Sequence, residues 1–144
     1  MDFLPYNVGD LVFFADSLGN RDTLRVASYS KDVQYLGGAS CTESESMNVD
    51  VVLNYDSGKT CNMGFRSNPS NQVFSASSTG QCIVGGNNQQ NIRYMNNYEF
   101  EGINYESVYE IDLTAANAAF EEIVIAKDVG FLFFTINGIT RKAI

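Results

Sequence analysis

The chain has 144 residues, of which 44% are hydrophobic and 18% charged, and its formal net charge is −8. This length is enough for one hydrophobic core, so we expect a single domain over residues 1–144. The excess of acidic side chains repels nucleic-acid phosphates and anionic lipids, so no nucleic-acid partner is expected. The longest apolar run, 129–136, is far shorter than the ~20 residues of a membrane-spanning helix, so no transmembrane segment is expected.

The first predicted element is a hairpin near the start of the chain. An apolar segment at 11–14 is followed by the turn sequence Ser17-Leu18-Gly19-Asn20 and then by a strand-like mixture at 23–29. Turn residues between two apolar segments are typical of an antiparallel hairpin. The Gly-rich segment 37–46 that follows is predicted to be a solvated loop.

A second hairpin is predicted from strict alternation of apolar and polar side chains. Apolar residues occupy every second position from Val49 to Tyr55 and again from Cys61 to Phe65, on either side of the turn 56–59. A period of two indicates a strand with one buried face. Shorter strands are predicted at 72–77, 81–84, 91–95 and 98–101, with a solvated Gly- and Asn-rich loop at 85–90.

The segment 107–113 is predicted to be a further strand, with Tyr109, Ile111 and Leu113 on its buried face. Thr114 resembles a helix N-cap and precedes an Ala-rich stretch, so one short helix is predicted near 114–121. A helix of about two turns is unstable alone, so it should pack against the sheet.

The last third of the chain is the most apolar. It is predicted to form strands at 123–126, 131–136 and 139–142, joined by the turns 127–130 and Asn137-Gly138. Asn-Gly between apolar runs favours a tight turn with two positive φ angles. Both faces of the segment 131–134 are apolar, so this strand should lie inside the sheet. We therefore expect an antiparallel β-sandwich or partly open barrel of about eight to ten strands.

Three segments toward the ends of the chain form a recognisable set: Phe3-Leu4-Pro5-Tyr6-Asn7-Val8-Gly9-Asp10, Val108-Tyr109-Glu110, and the segment from Ile123 to the final Asn-Gly hairpin. In these segments the chain resembles uncharacterised lipoprotein-like domains exported by Bacteroidetes. The resemblance implies an exported, periplasmic or cell-surface all-β domain without an established activity. It also implies a lipid anchor in the full-length precursor. This sequence departs from the family in that the lipid-bearing Cys of the leader is absent here.

Most catalytic residue sets are missing because the chain has no His. Catalysis by Ser-His-Asp or Cys-His groups is thereby excluded, and no catalytic residue is assigned. The best remaining pair is Glu99 and Glu101, which would share one face of a strand and suit a carboxylate-based glycoside hydrolase. A solvated strand face is the simpler interpretation of these two side chains.

No metal ion or cofactor is expected either. Cys41, Cys61 and Cys82 lack zinc-site spacing, and they are either buried thiols or one disulfide with any of three pairings. Oxygen ligands could come from Asp16, Asn20 and Asp22, or from Glu43 and Glu45. Neither set matches a calcium-binding loop, and turn formation explains them better.

Asn and Tyr are concentrated between Asn87 and Tyr105. Tyr supplies rigid contact area and Asn supplies hydrogen bonds, a mixture that suits recognition of a protein or a glycan. We therefore expect a non-enzymatic exported domain that binds a partner through Arg93, Tyr98 and Tyr105. The alternative is that Tyr94 and Tyr98 point into the core while the Asn residues form turns. A third hypothesis, suggested by the apolar segment 131–136, is a structural subunit of an envelope assembly.

Overall fold

The computed structural model describes residues 4–36, 42–56, 58–68, 73–80, 91–112 and 120–144. These residues are all-β and contain no helix. The ten strands are β1 (Leu11–Ala15), β2 (Arg21–Leu36), β3 (Thr42–Tyr55), β4 (Lys59–Asn68), β5 (Val73–Gly80), β6 (Asn91–Phe100), β7 (Ile103–Asp112), β8 (Phe120–Ala126), β9 (Gly130–Ile136) and β10 (Ile139–Ala143).

One antiparallel sheet contains all ten strands, in the order β5-β4-β3-β2-β1-β10-β9-β8-β7-β6. Strands that follow one another in the chain are neighbours within each half. The first and last strands, β1 and β10, join the two halves at the centre of the sheet. Their ladder is short, with the register pairs Phe14↔Ala143 and Ala15↔Lys142 and a hydrogen bond of 2.9 Å from the Ile144 N–H to the Phe13 carbonyl.

The sheet is curled into a half-barrel, as contacts between distant strands show. The rings of Phe65 on β4 and Phe131 on β9 have centroids 5.3 Å apart, although these strands are five places apart in the sheet. In a flat sheet that separation would be roughly 24 Å. The concave face encloses one continuous core, which we call the inner core and which includes residues of β1 to β4 and of β7 to β9.

Two irregularities in the pairing of β8 with β9 explain why β9 is buried on both faces. The pairing register shifts at Glu121, an extra residue in β8, and again at Leu132, an extra residue in β9. An extra residue in one strand changes the alternation of its side chains. As a result Phe131 and Phe134 both lie in the inner core, and Leu132 and Phe133 both lie on the opposite, outer face. The prediction that this strand lies inside the sheet is confirmed.

The hairpins predicted at the start, in the middle and at the end of the chain are confirmed. Val49, Val51 and Leu53 pair with Phe65, Met63 and Cys61, and all six side chains are buried. Tyr109 and Ile111 lie in the inner core, as their alternation predicted.

Several boundaries were predicted wrongly. The strands expected at 91–95 and 98–101 are one strand, β6, and residues 42–46 of the expected loop belong to β3. Backbone hydrogen bonds between strands continue through stretches of polar residues. Such stretches show no alternation of apolar and polar side chains, so the sequence pattern does not indicate that they belong to a strand. The segments 81–84 and 85–90 lie outside the described residues.

The predicted helix near 114–121 and the two-sheet sandwich are not confirmed. Phe120 and Glu121 lie in β8, while residues 114–119 are outside the described part of the chain. The Phe120 ring enters the inner core, with its centroid 5.7 Å from that of Tyr55 on β3. The partly open barrel is the alternative that agrees with the curled single sheet.

Candidate functional site

The candidate site is the β6–β7 hairpin, whose tip is a two-residue turn. Glu101 and Gly102 have φ angles of 53° and 78°, the two positive values of a type I′ turn. The ladder continues on both strands, from Phe100↔Ile103 to Asn91↔Asp112. The hairpin is therefore a continuous two-stranded ribbon.

Only the half of this ribbon far from the tip belongs to the main sheet. β8 pairs with Val108 to Asp112 of β7, so residues 103–107 have no partner on β8. Ser107, at the boundary, has a φ of 58°, which is unusual for a residue other than Gly inside a strand. Its Oγ accepts a hydrogen bond of 3.0 Å from the Tyr94 hydroxyl, and its carbonyl accepts one of 3.0 Å from the Lys127 N–H.

The side-chain alternation of both strands changes at this boundary. Met95 and Tyr98 on β6 are three residues apart yet contact the same apolar cluster, and so do Tyr105 and Val108 on β7. The change turns the tip half of the ribbon, residues 96–107, over the outer face of the sheet. Phe100 at the tip stacks on Phe133 of β9, with centroids 4.9 Å apart.

This folded half covers a second apolar cluster, which we call the outer cluster. Its buried members come from β7, β8 and β9, namely Val108, Val124, Ala126, Leu132 and Phe133. The tip reaches one strand further, where Glu101 forms an ion pair with Lys142 of β10. The Lys142 Nζ also lies 5.6 Å from the centre of the Phe100 ring. The hairpin thus spans β8 and β9 and touches β10.

The structure brings the predicted contact residues Arg93, Tyr98 and Tyr105 to one face of the hairpin. Tyr98 and Tyr105 are a directly opposed pair, and both rings pack against the outer cluster while staying half-exposed. The Arg93 side chain is 68% exposed and forms an ion pair of 2.5 Å with Glu110. The tyrosines therefore have a packing role as well as an exposed part.

Carboxylates surround Arg93 on the outer face. Glu122 lies directly opposite Asp112 in the β7–β8 ladder, and desolvation, followed by the charges of Glu110 and Asp112, raises its pKa. Desolvation also raises the pKa of Tyr98, with further contributions from Glu122 and Glu110. Arg93 opposes both shifts. The site therefore combines one exposed cation, several carboxylates and aromatic rings.

Glu99 and Glu101, the pair considered for the alternative hypothesis of a glycoside hydrolase, do not both lie in a strand. Glu99 is on β6, but Glu101 is the first residue of the turn rather than part of the strand. The carboxylate of Glu101 contacts Lys142 instead. The expectation that the two glutamates share a strand face is wrong, because the strand ends at Phe100.

The oxygen-rich turn after β1 is held by its own side chains. Asp16 Oδ1 accepts hydrogen bonds of 2.9 Å from the backbone N–H groups of Leu18 and Asn20, and Oδ2 accepts one of 2.8 Å from the Asn20 side chain. Asp22 forms an ion pair of 2.6 Å with Arg141. Glu43 and Glu45 lie in β3. Among the described residues no cluster of three potential metal ligands occurs.

Cys61 is disulfide-bonded, and neither Cys41 nor Cys82 is among the described residues.

Comparisons of the chain with known protein families, with characterised proteins and with solved structures found no match. The resemblance to exported lipoprotein-like domains therefore stays a prediction. Over the part of the chain that can be described, no helix has the length and apolar character needed to cross a bilayer.

Sequence reasoning missed two features of the site. The first is the carboxylate group formed by Glu110, Asp112 and Glu122, whose members lie on two strands. The outward-facing alternation of β7 and β8 was a usable signal for it. The second is the contact of Lys142 with the hairpin tip, for which the sequence holds no local signal, since Glu101 is 41 residues away.

Proposed function

We propose that this chain is a non-enzymatic, exported binding domain, and that it recognises a partner protein or a glycan through the β6–β7 hairpin. The observation that supports this most directly is the placement of Arg93, Tyr98 and Tyr105 on one face. An exposed guanidinium beside aromatic rings and carboxylates offers donors, acceptors and a flat apolar area together. Sugars and polar protein surfaces require this combination.

Export is proposed on two grounds. The ends of the sequence resemble exported lipoprotein-like domains, and Cys61 takes part in a disulfide. Disulfides persist in oxidising compartments such as the periplasm and the cell surface, and they are rare in reducing cytosol. A lipid anchor on the full-length precursor belongs to the same proposal.

The experiment is a binding screen with defined probes. The chain is applied to an array of bacterial and host oligosaccharides, and the immobilised chain is exposed separately to a bacterial envelope extract. Arg93→Ala, Tyr98→Phe and Tyr105→Phe are tested against Arg66→Ala, which changes an exposed Arg on β4. The Tyr→Phe changes remove the hydroxyls and keep the rings that cover the outer cluster.

We expect a glycan or envelope protein whose binding weakens at least about tenfold in the Arg93→Ala variant, as loss of a charge-assisted hydrogen bond predicts. Arg66→Ala should bind like the original chain. If every ligand found binds all four variants equally, the surface is placed wrongly. If neither screen yields a ligand, the binding function itself is wrong.

A further inference from the structure

Among the described residues, few polar contacts attach the tip half of the β6–β7 hairpin to the rest of the molecule. Residues 103–106 pair with β6 and make no ladder with β8, whereas the Ser107 carbonyl, at the boundary, accepts a hydrogen bond from the Lys127 N–H. The tip of the hairpin touches the sheet through the Phe100 ring and the Glu101–Lys142 ion pair. Both ends of that ion pair are about half exposed, at 46% for Lys142 and 53% for Glu101.

The same half is well built as a unit. Four register pairs join its two strands, from Asn97↔Glu106 to Phe100↔Ile103, and the type I′ turn closes it without extra loop residues. Its outward-facing residues Asn97, Glu99, Asn104 and Glu106 are all exposed. A ribbon with its own ladder can leave the sheet as one unit, and its amides then exchange faster because an isolated two-stranded hairpin is only marginally stable in water.

The boundary of this unit has the features of a hinge. Ser107 keeps a positive φ that costs free energy in a residue other than Gly, and such a conformation persists only where neighbours hold it. The neighbours are the Tyr94 hydroxyl and the Lys127 N–H. Both lie on the sheet side of the boundary.

We infer that residues 96–107 are a hinged cover, which rotates as one unit about Ser107 and is held closed over the outer cluster by Phe100 and the Glu101–Lys142 ion pair. Opening uncovers apolar side chains on both surfaces: Val124, Leu132 and Phe133 on the sheet, and Tyr98, Phe100 and Tyr105 on the hairpin. An apolar cleft forms between them. This inference goes beyond the proposed function and can be tested without a ligand.

The closed state depends partly on charge, so charge reversal is the test. Lys142→Glu places a like charge against Glu101 and also removes the cation beside the Phe100 ring, whereas Glu101→Lys places a like charge against Lys142. The double variant Glu101→Lys with Lys142→Glu restores opposite charges. Lys59→Glu serves as the matched control, because it reverses the charge of an exposed Lys that pairs with Asp56 and not with the hairpin.

Hydrogen–deuterium exchange of the whole, disulfide-bonded chain measures the opening. We expect the amides of residues 97–106 to exchange about five- to tenfold faster in Lys142→Glu, which loses an exposed ion pair and a cation–π contact, and about two- to fivefold faster in Glu101→Lys, which loses the ion pair alone. In the double variant exchange should return to within about twofold of the original rate. The amides of 49–53, in the inner core, should keep their rates in every variant.

Two results would overturn the inference. One is that hairpin amides exchange equally fast in the original chain and in both single variants. The other is that they exchange only together with the amides of 49–53, which would mean global unfolding. A second readout separates opening from fraying of the turn: binding of an apolar fluorescent dye should rise in Lys142→Glu and fall back in the double variant. An unchanged dye signal contradicts opening.

Discussion

Arg141 is a buried cation at the point where the two halves of the chain meet. Its Nη1 lies 2.6 Å from Asp22 Oδ2 and its Nη2 lies 2.6 Å from Asp56 Oδ1. Its guanidinium also lies 5.9 Å from the centre of the Phe134 ring. Burial alone would lower the pKa of Arg141, but the hydrogen bonds to Asp56 and Asp22 outweigh burial and raise it. The guanidinium therefore links β10 to β2 and to the end of β3.

Replacing this cation should destabilise the fold strongly. Arg141→Met keeps the volume but leaves Asp22 buried without its counter-charge, so we expect the free energy of unfolding to fall by about 3 kcal/mol. Combining it with Asp22→Asn should recover at least half of that loss, since Asn can still accept from the Asp56 N–H. Lys59→Met, at an exposed ion pair with Asp56, should cost less than about 1 kcal/mol.

Urea unfolding at neutral pH measures all three variants. If the Arg141→Met variant is as stable as the original chain, the ion pair does not stabilise the contact between the two halves of the sheet. No local pattern could predict this network, because Arg141 and Asp22 are 119 residues apart. From the sequence, Asp22 was interpreted as part of a turn, and only the curled sheet brings it to Arg141.

At the scale of the elements, a turn was predictable where its residues are of types that commonly adopt the positive φ angles of that turn. Asn137 and Gly138 have φ angles of 49° and 75°, as Asn-Gly between apolar runs predicted. Glu101 and Gly102 form the same kind of turn, but Glu seldom adopts a positive φ, so the sequence prediction continued the strand through Glu101. The error also created the apparent catalytic pair.

Irregular alternation limited the rest of the prediction. Clean alternation from Val49 to Tyr55 placed those side chains correctly. The extra residue at Leu132 reverses which side chains of β9 face inward. The change in alternation at Ser107 does the same for β6 and β7. The sequence indicated that Tyr98 belongs to a surface or to the core and that Tyr105 belongs to a surface, and in the structure both rings pack on the outer cluster while staying half-exposed. Whether the two tyrosines lie on the same face as Arg93 depends on the change in alternation at Ser107. Nothing in the sequence indicates that change.

The facing carboxylates of β7 and β8 give a pH-dependent prediction. Glu122 and Asp112 are opposed like charges, and desolvation together with Glu110 and Asp112 raises the pKa of Glu122 in the folded state. The folded chain therefore binds this proton more tightly than the unfolded chain does. Stability from this group is highest below the usual Glu pKa of about 4.3 and is lost as the pH rises through the folded-state value.

Glu122→Gln should therefore stabilise the chain at neutral pH. We expect a gain of roughly 0.2–1 kcal/mol, the size of a like-charge effect between opposed strand residues. The gain should shrink as the pH falls toward 4, where the original side chain is also neutral. Thermal unfolding at several pH values measures it, with Glu106→Gln on the exposed face of the hairpin as control. A gain that does not depend on pH would contradict the electrostatic origin.

At the scale of the whole molecule, the register of β4 with its two neighbouring strands bears on which cysteine is bonded to Cys61. Cys61 lies opposite Gly80 on β5, two residues before Cys82 in the sequence. It also lies opposite Leu53 on β3, and Cys41 is twelve residues before Leu53. Twelve residues of strand cover about 40 Å, whereas bonded cysteines have Cα atoms within about 7 Å.

We therefore expect the partner of Cys61 to be Cys82 and Cys41 to remain a thiol. Proteolysis without reduction, followed by mass spectrometry, should find a Cys61–Cys82 linked peptide and an alkylated Cys41. Cys82→Ser should leave Cys61 open to alkylation, while Cys41→Ser should not. A peptide linking Cys61 to Cys41 would contradict the strand register of β3 with β4.

The outer face of the sheet is unevenly covered, and this bears on the hypothesis of an envelope assembly. The two-sided apolar strand β9, which suggested self-association, is covered by the chain's own hairpin. An apolar strip is exposed nearby, where β1 and β10 join the two halves of the sheet. It consists of Leu11 and Phe13 on β1, whose exposed fractions are 52% and 43%, and Ile144 after β10, whose exposed fraction is 68%. Arg25 lies directly opposite Leu11, so the strip has a basic border on the β2 side.

If the chain assembles with copies of itself, this strip is the surface to expect at the contact. Burying a Phe side chain contributes about 1.5–3 kcal/mol, so Phe13→Ser should raise the dissociation constant of such a contact at least about tenfold. Ile103→Ser, which changes an exposed apolar side chain at the hairpin tip, should leave it unchanged. Light scattering over a range of concentrations decides between the alternatives. An apparent molar mass that does not grow with concentration removes the assembly hypothesis, and growth that Phe13→Ser leaves intact moves the contact away from β1.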